Sequence, residues 1–321
     1  MSGALAVGTA TMRAAVLRAP GAAAVERVRV PEPGPREVRF RVEGCGVCGS
    51  NVPVWTGESG AELPLEPGAP GHEAWGVVDA VGREVDAVEP GQRVAALSYR
   101  SFAEYDVADA DAVVPLPAAL DGVPVPGEAL ACAVNVFRRA DVRAGMGVAV
   151  VGAGFLGALL AQLAARAGAR VAALSRRPFS LEVAERMGAT AADSVEHAFA
   201  LNGGDAFERV LECGGAQATL DVASALAAVR GRLVLAGYHQ GGPRTVDVQS
   251  WNWRGLDVVN AHERDPAEYA RGLREAVAAL SDGRLDPSPL YTHRFPLERL
   301  GDALATAAER PDGFVKALVE P

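Results

Sequence analysis

Four consecutive apolar residues, Val148-Ala149-Val150-Val151, run without a polar interruption. That is the pattern of a parallel strand buried on both faces. Glycines follow at once in Gly152-x-Gly154-x-x-Gly157, and Ala158 to Ala167 then reads as an Ala/Leu helix closed by Gly168. Upstream the grammar differs. From Met12 to about Val125 the apolar segments are short, valine-rich and broken by Pro and Gly, as in Glu37–Val42 and Gly76–Val81. This predicts a β-domain in the form of a partly open barrel. From Glu128 onward strand and helix patterns alternate. Val148–Val151 and Arg170–Leu174 are the first two expected parallel strands, Arg209–Cys213 and Arg232–Ala236 continue the sheet, and Leu256–Asn260 ends it. A helix is expected from Asp265-Pro266 to about Asp282, then an extended Leu290–Phe295, another helix, and a last strand Phe314–Val319. Trp251 and Trp253, two apart, read as residues on one strand face, in a core or an oligomer interface. No repeat or low-complexity linker interrupts the chain. The tail is expected to return to the first domain. Residues 133–263 would then be a doubly wound dinucleotide-binding domain inserted into a split β-rich domain of residues 1–132 and 264–321.

The glycine pattern carries a specific chemistry. Gly152 permits a tight turn, Gly154 lets a pyrophosphate approach the backbone, and Gly157 lets helix pack on strand. Phe155 and Leu156 open the helix, whose N-terminus offers unsatisfied N–H groups to phosphate. Gly-x-Gly-x-x-Gly alone is a weak signal; here strand, glycines and helix occur in the required order. A carboxylate at the end of the second strand would bind the ribose 2′-hydroxyl of NAD. This chain has Ser175-Arg176-Arg177 there. Guanidinium groups pair with phosphate, so NADP(H) is favoured over NAD(H); the plainer alternative is that Arg176 and Arg177 are solvated charges.

Composition narrows the class. The chain has 321 residues, 49% of them hydrophobic, enough for two domains and too apolar for disorder. A net charge of −9 and a pI near 5.2 argue against nucleic acid or an anionic membrane as partner. No run reaches membrane-spanning length, and Met1–Thr11, read as a floppy extension, lacks the basic start of a secretory signal. Four cysteines (Cys45, Cys48, Cys132, Cys213) in so large a chain suggest a reducing, cytoplasmic setting. Lysine occurs once, at Lys316, which leaves little for a lysine Schiff-base mechanism.

The β-rich half holds metal-ligand chemistry. Gly44-Cys45-Gly46-Val47-Cys48-Gly49-Ser50-Asn51 is read as a loop, and Pro70-Gly71-His72-Glu73 lies between extended segments. Cys, His and Glu are suitable zinc ligands, and a catalytic zinc needs three from the protein. Spacing alone does not single them out, because one Cys-x-x-Cys and one His-Glu are common. Taken with Phe102-Ala103-Glu104-Tyr105, the Gly152–Gly157 turn and Leu290-Tyr291-Thr292-His293, however, these motifs make the chain from Met12 onward resemble the medium-chain dehydrogenase/reductase superfamily, zinc alcohol dehydrogenase type. Within it the chain is similar to the sorbitol and threonine dehydrogenase branch. The resemblance implies a Rossmann sheet inserted in a split GroES-like domain. It also implies one catalytic zinc at Cys48, His72 and Glu73, with Glu128 of Glu128-Ala129-Leu130 as a fourth candidate, and Ser50 as the hydroxyl touching the substrate oxygen.

Departures from the family pattern are visible too. Gly91 to Phe102 is too short for the lobe that carries a structural zinc, a shortening similar to that of the bacteriochlorophyllide-dehydrogenase-like subgroup. Asn51 replaces an Asp that orients the zinc-bound His, and a neutral amide is expected to do so less strongly. Pro53 stands where some relatives have a proton-relay His. Blander assignments remain for other residues. Cys45 is expected to be a spectator and Cys213 core packing. Cys132 is a remote ligand candidate one helical turn beyond Glu128, itself open to a simple helix N-terminal role. His197, His239 and His293 read as surface or packing residues, while His262, after the sheet's last strand, could approach the cleft. Trp55, Tyr99 and Phe102 could line a pocket or fill the β-core. The leading function is a zinc-dependent, NADP(H)-linked alcohol dehydrogenase or ketone reductase of small substrates, expected as a homodimer through the edge strand Leu256–Asn260. A zinc-free NADPH-dependent double-bond reductase and a non-enzymatic nucleotide-binding protein are the alternatives.

Overall fold

The computed structural model describes residues 10–321. The expected extension thus lies outside the described residues except at its end, where Thr11 already opens the first strand. In chain order the strands and helices are β1 (Thr11–Ala19), β2 (Ala22–Arg29), β3 (Glu37–Gly46), α1 (Asn51–Thr56), β4 (Glu73–Val81), β5 (Arg93–Leu97), β6 (Tyr105–Asp109) and β7 (Val113–Pro115). They continue with α2 (Gly127–Ala140), β8 (Gly147–Val151), α3 (Phe155–Arg166), β9 (Arg170–Leu174), α4 (Pro178–Arg186), β10 (Thr190–Ala192), α5 (Val195–Leu201), β11 (Phe207–Glu212), α6 (Gln217–Leu226) and β12 (Ala227–Leu235). The last are α7 (Val248–Arg254), β13 (Asp257–Asn260), α8 (Pro266–Ser281), β14 (Tyr291–Pro296), α9 (Leu300–Glu309) and β15 (Lys316–Glu320). No helix among the described residues is long and apolar enough to cross a membrane.

Two compact units form. Among the described residues, the first comprises 10–128, His293–Glu309 and Ala317–Pro321; the second comprises Ala129–Thr292 and Arg310–Lys316. The tail therefore divides more finely than the 264–321 segment expected from sequence. Helix α8 groups with the second unit because it packs on α2. There Arg138 bonds Glu268 at 2.8 Å and Glu275 at 3.2 Å, and Gly272 leaves space for the Asn135 amide.

The first unit is built on a mixed sheet of order β14-β15-β3-β4-β5-β7, with β6 also on β3 and a separate β1-β2 hairpin. Strand β3 is central. It pairs antiparallel with β4, β6 and β15, and its inward residues Val38, Phe40 and Val42 enter the core with Val78, Val94 and Ala96. Alternation between this buried face and half-exposed positions is the period of two that the sequence carries.

The second unit is a six-stranded parallel sheet of order β10-β9-β8-β11-β12-β13. All five residues of β8 are buried, as the unbroken apolar run requires, and Leu159, Leu160 and Ala161 of α3 are fully buried as well. Renumbered from β8, the strand order is 3-2-1-4-5-6, the doubly wound arrangement that binds dinucleotides at the carboxyl ends of its strands. The tryptophan pair corrects the sequence reading. Trp251 and Trp253 lie on helix α7, where residues two apart face roughly opposite ways. Trp251 donates from Nε1 to Ser224 Oγ at 2.6 Å, while Trp253 is 90% exposed.

Candidate active site

The segment read as a loop from Gly44 to Asn51 is in part regular. Cys45 and Gly46 end β3, paired with Val319 and Leu318 of β15, and Asn51 begins α1. Cys45 is fully buried in this sheet. Only Val47 to Ser50 form the connection, and Cys48 is half-exposed within it. On the other side, Gly71 precedes His72 at a tight crossing. A Cβ on Gly71 would collide with the Phe102 backbone nitrogen, and Ser101 donates to the Gly71 carbonyl at 2.9 Å. Glu73 then opens β4 opposite Gly46 and is almost wholly buried.

These two connections bring Cys48 Sγ, an imidazole nitrogen of His72 and a carboxylate oxygen of Glu73 within 4.8 Å of one another. Glu128, in the first turn of α2, lies 3.9 Å from His72 Nε2. His72 Nδ1 is 2.9 Å from the Pro70 carbonyl, which can only accept, so Nδ1 carries a proton and Nε2 is the nitrogen that could offer a lone pair to a metal once deprotonated. The local field favours positive charge. Burial works against a charged imidazole, but the hydrogen bond and charge of Cys48, then Glu128 and Glu73, outweigh it and push His72 up to about 10. A thiolate, an imidazole and a carboxylate at these separations form a donor set suited to zinc. Cys132, the remote candidate, engages instead the Tyr269 hydroxyl at 2.9 Å.

Asn51 acts differently from the weakened orienter expected. Its side chain is 1% exposed; Oδ1 accepts from the Cys48 N–H at 2.9 Å and Nδ2 donates to the Pro70 carbonyl at 3.2 Å. It thus ties the cysteine segment to the same carbonyl that holds His72. An ionised Asp could not donate the second bond. Ser50 donates its N–H to Cys48 Sγ at 3.5 Å, and its side chain makes no capping bond to α1. Of the aromatic candidates, Tyr99 is exposed with its ring 5.9 Å from that of His72, Phe102 is fully buried core, and Trp55 packs at Gly301 of α9.

In the second unit the glycine turn has the expected geometry. Gly152 has φ +101°, and a Cβ there would lie 2.9 Å from Gly214 N. A Cβ on Gly157 would collide with the Gly152 carbonyl, whereas one on Gly154 meets no protein atom within 4 Å. Gly157→Ala should therefore destabilise the protein by roughly 1–3 kcal/mol through overpacking. Gly154→Ala should leave the melting temperature unchanged and weaken NADPH binding. Thermal melts and cofactor titrations of the two variants check this contrast. Phe155 opens α3 with its ring 4.6 Å from Lys316 Nζ and stacked on Tyr291. The lone lysine is thus buried beside the glycine turn, a pairing across the chain that no local pattern signals. At the end of β9, Arg176 is exposed, while Arg177 donates through Nη2 to the Phe314 and Pro311 carbonyls at 2.9 and 3.0 Å. Ser175 Oγ accepts from Arg177 N at 3.2 Å. Arg310, which sequence reasoning passed over, has its pKa lowered by burial and by the Arg177 charge.

Both units match known domain families. The alcohol dehydrogenase GroES-like domain matches residues 34–118, and the zinc-binding dehydrogenase domain matches residues 156–278. The chain is 30% identical over 331 residues to L-threonine 3-dehydrogenase of Anaeromyxobacter sp. (strain Fw109-5), covering 88% of this chain and 91% of that one. It is 28% identical to sorbitol dehydrogenase of Gallus gallus, covering 91% and 92%. Among solved structures, a protein of Sinorhizobium meliloti 1021 described as a zinc-binding dehydrogenase and bound to NADP superposes with TM-score 0.84 at 28% identity, covering 97% of this chain and all of that one. The chain is a zinc-dependent alcohol dehydrogenase-like member of the medium-chain dehydrogenase/reductase superfamily. It is accordingly an oxidoreductase of the class that acts on CH–OH groups.

Proposed function

We propose that this protein is a zinc-dependent, NADP(H)-linked alcohol dehydrogenase or ketone reductase acting on a small alcohol or carbonyl compound. The observation that carries the reading is the convergence of Cys48, His72 and Glu73 donor atoms within 4.8 Å. Those three residues would hold a single zinc, with Glu128 as the fourth candidate. Bound there, zinc supplies Lewis acidity toward the substrate oxygen, and the nicotinamide supplies or takes the hydride. The protein's own work is to hold the donors and move the proton. Asn51 and the Pro70 carbonyl fix Cys48 and His72, and the Ser50 hydroxyl hydrogen-bonds the substrate oxygen and passes its proton on. With Pro53 in place of a relay His, α1 offers no second ionisable side chain for the proton, and a bound cofactor's ribose hydroxyl would supply a further donor and acceptor beside Ser50. Relatives named for threonine and sorbitol support a small hydroxylated substrate. A screen of carbonyl and alcohol compounds with NADPH or NADP, before and after zinc removal, tests the reading. Full turnover by metal-free protein would replace it with double-bond reduction.

The cofactor assignment is part of the proposal. Gly154 leaves the approach that a pyrophosphate needs, and Ser175 and Arg176 would receive the 2′-phosphate while Arg177, held by the Pro311 and Phe314 carbonyls, adds positive potential. The NADP-bound relative supports the same choice. Arg176→Ala should weaken NADPH by roughly 1–3 kcal/mol, toward the low end because the residue is exposed, and leave NADH unchanged. Equal losses for both cofactors in parallel titrations would remove the 2′-phosphate role.

We also propose a cytoplasmic homodimer. None of the four cysteines forms a disulfide. Strand β13 ends the parallel sheet with half-buried Val258 and Val259, and the exposed Trp253 and Val248 lie on the preceding helix. Such an edge is normally paired or covered. Light scattering should give twice the chain mass; a monomer at micromolar concentration would end this assignment.

A further inference from the structure

We infer that His239, held by the buried carboxylate of Glu212, binds the nicotinamide half of the cofactor by accepting a hydrogen bond at Nδ1. The inference rests on the dinucleotide-binding reading of the second unit and extends it to a residue that the glycine pattern does not mark.

Glu212 is the last residue of β11, and its side chain is 0% exposed. Its Oε1 accepts from Gly214 N at 2.9 Å, Gly215 N at 2.8 Å and Thr219 Oγ1 at 2.6 Å. Its Oε2 lies 2.9 Å from His239 Nε2. Three donors thus occupy Oε1, and Oε2 is the oxygen left to face the imidazole. Because an ionised carboxylate only accepts, Nε2 of His239 must carry the proton. In its neutral form the ring then presents Nδ1 as an acceptor. That atom is buried and makes no hydrogen bond to any described residue. Buried polar atoms in native proteins ordinarily have partners. A ring clamped at one nitrogen, with the other buried and unsatisfied, is built to receive a donor.

The fold identifies where that donor comes from. His239 follows the carboxyl end of β12, the fifth strand in the 3-2-1-4-5-6 order. In this fold the first three strands take the adenosine half of a dinucleotide and the last three take the nicotinamide half. Close backbone contacts join His239 to the glycine turn. Gly237 N donates to Glu212 O at 2.7 Å, a Cβ on Gly215 would lie 2.7 Å from the Tyr238 carbonyl, and one on Gly152 would lie 2.9 Å from Gly214 N. The turn after β8, the turn after β11 and His239 thus form one continuous rim. The matching chemistry is an N–H or O–H of the nicotinamide riboside, which carries a carboxamide and two ribose hydroxyls. His239 is the binding residue and Glu212 the positioning residue that fixes its tautomer.

The test compares NADPH with 2′,5′-ADP, which carries the adenosine half and the 2′-phosphate but no nicotinamide, on zinc-loaded protein. His239→Ala should weaken NADPH about tenfold, the loss of one hydrogen bond, and leave 2′,5′-ADP unchanged. His239→Asn, whose Oδ1 can stand near the Nδ1 position, should recover most of the loss. With five histidines in the chain, ¹⁵N spectra of the unmodified protein provide a readout that needs no variant. NADPH should move the His239 Nδ1 resonance and 2′,5′-ADP should not. Wild-type NADPH affinity in His239→Ala, equal weakening of both probes, or an Nδ1 resonance indifferent to NADPH would each overturn the inference while leaving the dinucleotide reading intact. If the wild type binds neither probe, the dinucleotide reading itself fails and takes the inference with it.

Discussion

Cys48→Ser should strip the protein of its zinc and of its turnover together, while leaving the fold and NADPH binding in place. Cys48 supplies the softest of the three donors, and a serine hydroxyl, neutral at physiological pH, is a poor replacement for a thiolate. The remaining imidazole and carboxylate make an incomplete catalytic site. Losing an outer partner of a ligand already costs 10- to 100-fold in metal affinity or activity, so losing the ligand itself should exceed about 100-fold. The substitution adds no bulk, and Cys48 is half-exposed in a short connection rather than packed in the sheet. Elemental analysis should find one zinc per chain in the wild type and almost none in the variant, with unchanged circular dichroism. Two zincs per chain in the wild type, or an undiminished single zinc in Cys48→Ser, would dismiss this ligand set.

The sequence carried the elements of this site unevenly. The turn at Gly152–Gly157 was legible because strand, glycines and helix are contiguous, and the constraints on Gly152 and Gly157 come from the turn after the neighbouring strand and from within the turn itself. Cys48, His72 and Glu73 were legible only through family resemblance; their spacing says nothing about the 4.8 Å cluster, which depends on β3 pairing with β4. The bonding of Asn51 is hidden in the sequence for a related reason. Its value lies in bonds to Cys48 N and the Pro70 carbonyl, and the second partner is 19 positions away. Partnerships at long range left no local trace at all. His239 reads as a surface or packing residue until Glu212, 27 positions earlier, is seen beneath it. Lys316 reads as a solitary tail residue until its ammonium is seen over Phe155. The tryptophans erred in the opposite sense. A spacing of two suggested a strand, but Asp247 caps Ser250 N, and Gly255 closes the segment in the left-handed conformation, so a short helix forms.

Ser50→Ala should separate proton transfer from metal and cofactor binding. The bond that Ser50 makes to Cys48 Sγ comes from its backbone N–H, which alanine retains. Its side chain makes no capping bond to α1, so the helix loses nothing of that kind. Zinc content, NADPH affinity and melting temperature should accordingly match the wild type. What disappears is a hydroxyl two residues from the thiolate, the group assigned to hydrogen-bond the substrate oxygen and relay its proton. Proline at position 53 offers no ionisable substitute on α1, so the relay has no second side chain there to fall back on. Turnover should fall on the order of 10²-fold, the lower range for a lost general acid–base group. The fall should appear in kcat more than in KM, because the interaction strengthens as charge builds on the oxygen during hydride transfer. Steady-state kinetics on any substrate found by the screen, alongside zinc analysis of the same preparation, decide the matter. An unchanged kcat would remove Ser50 from the proton path, and a loss of zinc would reassign it to supporting Cys48.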